Sequence, residues 1–558
     1  MSTAKFSIKE IVEMSKRIVR FFGPLFLFLL IALSPLLIAK LKDMSVGMGV
    51  GPSVLYSLPL LLLFLLPKYK WISIFLMSLI CIASLAEIAM LLIGGNFLES
   101  GMIVAILTTT QEEASAVVDN NLFVLLYLIP ILLLHILTCI WYCRYEGFNL
   151  KYRLVLFAIM ALISLGYYGY KTNSINRTEL KWYEDSILYR PPYRFYCQLY
   201  RGIHNITLQH NLIKAASKLT DFKYAAVRGS NPNIAETYVL CIGESMRYDN
   251  ISINSNYWRS TTPHLERINN IIAYSNYYST ACLTMYAVPL LISPATPDSF
   301  DETYTTRSII APFKEVGFNV FVIATKGQLL THENREYLRL GMDSLVVIED
   351  DSEAITVISE LSQKYNKSFF IVELWGSHHP YYNYPNEFEI YTPTNHTDPY
   401  KYTDEQYFMN AYDNTILYTD YILSVIADSL EKQEACATML YTSDHGESIS
   451  NERYGHGFEH YPNPRDQYQV EYHVPLVLWY SDEYANLYPS KVNAFKSHRN
   501  NPVNADYVFY SLCGMADIDI SLWSNDFGLA NHNLFEDSIV LKPREILLTD
   551  GEHIMNVD

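Results

Sequence analysis

The distribution of apolar positions divides the chain near residue 170. Long, nearly unbroken apolar runs occupy Phe21–Ala39, Ser53–Leu66, Trp71–Gly94, Leu122–Trp141 and Leu154–Tyr170. A helix that crosses a bilayer needs about 20 mostly apolar residues, so these runs predict about five membrane spans, the second of them short. From Asn231 onward the pattern changes to short β-rich apolar runs separated by mixed polar and helical stretches, as a layered α/β domain requires. Between the two, Trp182, Tyr183, Tyr189, Tyr193, Tyr196 and Tyr200 interleave with Arg190, Arg194 and Arg201. That mixture suits a membrane interface, where aromatic rings and basic groups both find favourable partners. The expected organisation is a transmembrane helical part over 1–170, interfacial linker helices over 171–230 and an α/β domain over 231–558.

Charge in the loops sets the expected orientation. Lys5, Lys9, Lys16, Arg17 and Arg20 precede the first run, and no small-residue cleavage pattern follows it, which favours an anchor over a cleaved signal peptide. The loop with Lys68 and Lys70 and the loop with Arg144, Lys151 and Arg153 are also basic, whereas 96–120 contains no Lys or Arg. Basic loops stay in the cytoplasm. The N-terminus is therefore expected inside, and everything after Tyr170 outside, the cytoplasmic membrane. The outer loop holds a polar cluster, Thr108, Thr109, Thr110, Gln111, Glu112 and Glu113.

A net charge of −17 and the lack of any Lys/Arg block argue against a nucleic-acid partner, since affinity for phosphate polymers comes chiefly from clustered basic residues. The eight cysteines form no CxxC pair and no Cys/His ribbon spacing, so a thiolate metal site is not expected and no disulfide is required.

Candidate core strands are Thr237–Ile242, Asn319–Ala324, Ser368–Leu374, Ala437–Tyr441 and Pro475–Tyr480. The first runs into Gly243 and Glu244, the third into Gly376, Ser377, His378 and His379, and the fourth into Ser443, Asp444, His445, Gly446 and Glu447. Open α/β sheets bind ligands beyond the carboxyl ends of their strands, so three strands would deliver Glu, His and Asp-His to one rim. Oxygen and nitrogen donors without thiolate suit a catalytic zinc or a similar divalent ion with a position left for substrate.

Residues 274–293 supply several hydroxyls, with Thr284 just before a Pro-containing helix start. A threonine hydroxyl is a poor nucleophile unless a metal or base activates it, and a helix N-terminus beside it would favour a phosphoryl group. Taken alone, Thr284 equally fits a helix N-cap. Ser245, Thr262, Ser279 and Thr280 remain rival nucleophiles on spacing.

The chain resembles the phosphoethanolamine transferases that decorate lipid A or lipopolysaccharide core, members of the alkaline phosphatase superfamily. The likeness rests on the spans and linker, GES at Gly243, TTP at Thr261–Pro263, YSN at Tyr274, the threonine followed by VP at Val288, AYDN at Ala411–Asn414 and SDHGES at Ser443–Ser448. It implies an alkaline-phosphatase/sulfatase-like α/β domain in the bacterial periplasm, anchored to the inner membrane. It further implies that Glu244, Thr284, Asp444 and His445 bind catalytic zinc, one or two ions in all, and that Thr284 carries the phosphoethanolamine. His378 and His456 would flank the phosphate or a second zinc, and Thr109 and Glu113 would contact lipid substrate. The implied donor is phosphatidylethanolamine, the acceptor lipid A or lipopolysaccharide core, and the working form a monomer. A phosphoglycerol transferase or phosphodiesterase of the same superfamily is the alternative. Thr280 and Leu290 stand where the lipid A branch usually has cysteines, which leans toward the core-modifying branch.

Overall fold

The computed structural model describes residues 8–42, 69–94, 97–98, 102–103, 106–107, 121–144, 155, 158–159, 162, 191, 193–230, 232–325, 338–379, 381–394, 405–450, 453–456, 468–520, 528–531, 544–547 and 553–556. They fall into two compact units, one built largely of residues up to Ile203 and the other from His204 on.

The first unit contains α1 (Ile8–Leu41), α2 (Lys70–Gly94) and α3 (Leu125–Cys143). Among the described residues three helical stretches are long and apolar enough to cross a membrane, Phe22–Leu41, Lys70–Ile93 and Leu122–Cys143. The expected spans over 53–66 and, for most of its length, 154–170 lie outside the described residues. The three helices pack through Leu25, Phe28 and Ala32 of α1, Met77 and Ile80 of α2, and Tyr142 of α3. Leu126, Ile129, Leu133 and Leu137 of α3 point outward instead. An apolar outer face of that size suits lipid as solvent better than water. Glu87, the one acidic residue of α2, is buried: its Oε2 accepts from Leu98 N at 2.9 Å, and its Oε1 lies 3.9 Å from Arg194 Nε at the start of α4 (Arg194–Ala216). A carboxylate among apolar helices persists only when hydrogen-bonded or paired in this way.

The second unit is built on a seven-stranded sheet: β1 (Glu236–Gly243), β2 (Ile271–Tyr274), β3 (Asn319–Thr325), β4 (Ser344–Ile348), β5 (Lys367–Glu373), β6 (Cys436–Ser443) and β7 (Leu476–Tyr480). Their spatial order is β2-β7-β6-β1-β5-β3-β4, with β7 antiparallel to both neighbours and the remaining pairs parallel. All five strands expected from the sequence are present. The two that were missed are a four-residue edge strand and a half-exposed edge strand, each too short or too exposed to give an apolar run.

Because side chains alternate faces along a strand, β1 sends Tyr238, Leu240 and Ile242 to one side and Val239 and Cys241 to the other. The first side is covered by α5 (Thr284–Leu291) and α8 (Tyr507–Met515), through Leu290, Leu291, Val508 and Phe509. The second is covered by α6 (Glu353–Lys364) and α7 (Glu405–Glu431), through Ala354, Ile358, Tyr412, Ile416 and Ile422. Burial on both faces explains why β1 and β6 read as continuous apolar runs rather than as alternation. The parallel strands β6, β1 and β5 are consecutive in the sheet and end at one rim.

Candidate active site

Glu244 follows β1 directly, Asp444 and His445 follow β6, and all three are buried. Adjacency of the two strands brings the loops into register: Asp444 N donates to Gly243 O at 3.1 Å, and Asp444 Oδ1 accepts from Ser245 N at 3.1 Å and His445 N at 2.7 Å. Ser245 sits in the left-handed region at φ 60°, which turns the chain sharply away after Glu244. Tyr412, from α7, holds that turn by donating to Ser245 O at 2.6 Å and accepting from Arg247 N at 2.8 Å.

The loop after β5 closes on the same turn, with Ser377 N donating to Glu244 O at 3.0 Å. Gly376 has φ +58°, and a Cβ there would lie 2.9 Å from Glu244 N, so only glycine fits without moving Glu244. Asp351 fixes this loop from below by accepting from Trp375 N at 2.8 Å and Gly376 N at 3.0 Å.

Thr284 opens α5, and its hydroxyl donates to Glu244 Oε1 at 2.9 Å and lies 3.0 Å from His445 Nε2. The N-cap position belongs to Leu283, and no side-chain cap bond is made there, so the capping alternative for Thr284 does not hold. Among the rival hydroxyls, Ser279 is committed to the carbonyls of Asp444 and Ala281, and Thr262 accepts from Ile253 N. Ser245 and Thr280 are buried, and their hydroxyls have no hydrogen-bond partner among the described residues.

His445 Nδ1 lies 2.9 Å from Gly446 O. A carbonyl only accepts, so Nδ1 carries the hydrogen and Nε2 is left facing Thr284, Glu244 Oε1 at 3.3 Å and Asp444 Oδ2 at 3.2 Å. Asp444 Oδ2 is buried and, despite that approach, has no aligned hydrogen bond among the described residues. The ligand atoms of Glu244, Asp444 and His445 all lie within 4.8 Å of one another. Lone pairs converging on a buried point call for positive charge. Burial, then the Glu244 charge, pushes the Asp444 carboxyl up to about 7. Burial opposes protonation of His445, but the Asp444 charge and the Glu244 hydrogen bond outweigh it and push the imidazole up to about 10. The set therefore fits a divalent cation such as zinc, which takes nitrogen and oxygen ligands and would neutralise both carboxylates.

His456 is brought to this centre: its ring centroid lies 4.0 Å from that of His445 and its Nδ1 lies 3.3 Å from Glu447 Oε1. His378 is half-buried in the turn after β5, edge-on to Trp375 at 4.8 Å, and makes no recorded hydrogen bond to Glu244, Asp444 or His445 among the described residues. Thr109 and Glu113 lie outside the described residues. None of the eight cysteines forms a disulfide. The brace by Tyr412 and the contact of Glu447 with His456 were not expected from the sequence, although AYDN and SDHGES contain these residues. The rest of AYDN is scaffold: Asp413 binds Asn250 at 2.8 Å, Tyr257 at 2.7 Å and Arg259 at 2.5 Å.

The sulfatase family profile matches residues 236–518, just over half of the chain and the whole of this sheet. The chain belongs to the sulfatase family. Among curated relatives, it is similar to the phosphoethanolamine transferase EptA of Escherichia coli O157:H7, at 29% identity over 297 residues covering 50% of this chain and 53% of that protein. The Kdo(2)-lipid A phosphoethanolamine 7''-transferase of Escherichia coli K12 is 27% identical over 299 residues, 51% of this chain and 50% of the relative. The chain thus spans about half the length of the curated relatives it matches. Among solved structures, the integral membrane lipooligosaccharide phosphoethanolamine transferase EptA of Neisseria meningitidis superposes with a TM-score of 0.65 at 20% identity, over 92% of this sulfatase-family chain and 97% of its own. That likeness extends the shared fold to the helical N-terminal part.

Proposed function

We propose that this chain transfers phosphoethanolamine from phosphatidylethanolamine to lipid A or lipopolysaccharide core through a covalent intermediate on Thr284. The observation that carries the reading is the Thr284 hydroxyl, poised at the start of a helix between Glu244 Oε1 and His445 Nε2. It is supported by the similarity to curated phosphoethanolamine transferases across the sulfatase-like region.

Glu244, Asp444, His445 and Thr284 would hold zinc. Bound there, the ion would supply Lewis-acid charge that acidifies a hydroxyl and polarises a phosphoryl oxygen. Thr284 Oγ attacks the phosphorus of the donor, the bond to the diacylglycerol oxygen breaks, and the threonine proton leaves toward Glu244 Oε1. The first turn of α5 offers backbone N–H groups to the phosphoryl oxygens. An acceptor hydroxyl or phosphate oxygen then attacks the same phosphorus and frees Thr284. His378 and His456 stabilise charge on the phosphoryl oxygens or exchange the proton of the entering and leaving oxygens.

The same reading gives the chain about five inner-membrane spans at bilayer lengths of about 20 residues each. Its N-terminus is cytoplasmic, 171–230 lies at the interface and the 231–558 domain is periplasmic. Thr109 and Glu113 touch lipid substrate, one or two zinc ions are used, and the working form is a monomer. Anchoring the site beside the bilayer raises the effective concentration of two lipid substrates.

Intact-protein mass spectrometry of the full-length chain, after incubation with zinc and phosphatidylethanolamine, tests the proposal. The expected result is a phosphoethanolamine-sized adduct that maps to Thr284 and is missing in Thr284→Ala. An adduct of glycerophosphate size would move the chain to the phosphoglycerol transferases, and no adduct on zinc-loaded protein would remove Thr284 as the nucleophile.

A further inference from the structure

The loop after β6 continues past the two charged residues at its start. Glu447 is 3% exposed and each of its oxygens has a separate partner: Oε1 lies 3.3 Å from His456 Nδ1, and Oε2 accepts from the Tyr381 hydroxyl. Tyr381 arrives from the loop after β5, is itself 3% exposed, and packs edge-on against Tyr412 at 5.1 Å and Phe408 at 6.3 Å. The chain of contacts thus runs Tyr381, Glu447, His456 and then, ring against ring, His445.

Two physical consequences follow. A carboxylate only accepts, so the hydrogen between Glu447 and His456 is on Nδ1, and the neutral imidazole keeps its lone pair on Nε2. A buried carboxylate held by one partner is free to rotate about its last bonds, whereas one held by a donor on each oxygen has a single orientation. The packing of the Tyr381 ring needs no oxygen, so a phenylalanine would fill the site as well.

We propose that Tyr381 is a positioning residue of the centre: its hydroxyl fixes Glu447, and Glu447 fixes His456 as the Nδ1–H tautomer beside His445. The carboxylate that orients a histidine is here itself oriented by a tyrosine from a different strand, so the loops after β5 and β6 are tied together at the site. The kinetic part of this inference rests on the transfer reaction proposed above, while the tautomer rests on the hydrogen bonds alone.

The test uses full-length protein in phosphatidylethanolamine-containing nanodiscs with nitrogen-15-labelled histidine. The His456 signals are assigned by their loss in His456→Gln. In the wild type they are expected to report one Nδ1–H tautomer, and in Tyr381→Phe a mixture. Turnover of Tyr381→Phe is expected to fall by roughly tenfold, the lower end of what loss of an orienting partner costs, with KM for the donor unchanged. An unchanged His456 tautomer in Tyr381→Phe would overturn the proposal whatever the activity does. Should that variant fail to fold, Glu447→Leu, of similar volume and without an acceptor, is read in the same way: a mixed tautomer supports the chain and a single Nδ1–H tautomer overturns it. A wild type that transfers nothing would refute the proposed function, and the histidine signals would still decide the role of Tyr381.

Discussion

Individual residues in this protein do unlike work with the same chemical groups. Asp444 and Glu244 are buried around one imidazole, where their charge attracts a cation. Asp420 is equally buried, on α7, but it accepts from His264 N and Leu265 N at 2.8 Å each and serves only to start a turn. Burial pushes its carboxyl from 3.8 up to about 7, more than the two backbone bonds lower it. A folded pKa raised above the unfolded one means that this group favours folding fully below pH 4, and that the contribution is lost as pH rises toward 7. Asp420→Asn removes the charge and one acceptor. At pH 5 the variant should be less stable by about 1 kcal/mol, the cost of one mismatched buried hydrogen bond. Between pH 5 and pH 8 the difference should shift in favour of the variant by at most about 2.7 kcal/mol, the equivalent of the two pH units between 5 and the folded pKa of about 7. Thermal unfolding of both proteins at the two pH values checks this; a difference independent of pH would show that Asp420 stays ionised in both states. That Asp444 and His445 reach the candidate metal centre was legible from their place after a strand, while the contacts of Glu447 were not. Its use depends on Tyr381, 66 positions away.

At the scale of elements, the site is a meeting of strand ends with one helix start and one helix face. β1, β5 and β6 supply the loops, α5 presents Thr284, and α7 braces the arrangement through Tyr412. That brace is specific: one hydroxyl both donates to Ser245 O and accepts from Arg247 N across the turn that follows Glu244. Tyr412→Phe leaves the ring in the core but strands the buried Ser245 carbonyl, at about 1–3 kcal/mol, and the half-buried Arg247 N–H at less. We expect the variant to unfold at lower urea concentration with an unchanged slope, and to bind zinc more weakly. Wild-type zinc affinity with lowered stability would mean that Ser245 and Glu244 keep their places without α7. The five central strands were readable because their burial on both faces leaves continuous apolar runs. The edge strands Ile271–Tyr274 and Ser344–Ile348 were not, since each borrows its order from a neighbour rather than from its own pattern.

For the whole molecule, the proposed metal links catalysis to stability. Two buried carboxylates around one histidine are a liability for the folded state unless positive charge joins them. Loading with zinc at about a hundredfold excess over its dissociation constant should add about 2.7 kcal/mol. For a unit of this size that corresponds to a melting temperature roughly 3–5 °C higher than after chelation. Differential scanning calorimetry with and without chelator measures it, and re-addition of zinc should restore the transition. An unchanged melting temperature would mean that the carboxylates are neutralised by protons instead. The apolar anchor runs, the α/β pattern and the strand ends that carry carboxylate and imidazole are all legible in consecutive residues, because periodicity and hydropathy are local properties. It took the folded arrangement to show that Thr284, rather than Ser279 or Thr262, faces Glu244 and His445, that Asp413 is scaffold, and that Tyr381 meets Glu447 and Glu447 meets His456. Those choices depend on which loops meet at the rim of the sheet. That is set by strand order and by hydrogen bonds between residues far apart in the chain, neither of which leaves a mark on the residues nearby in sequence.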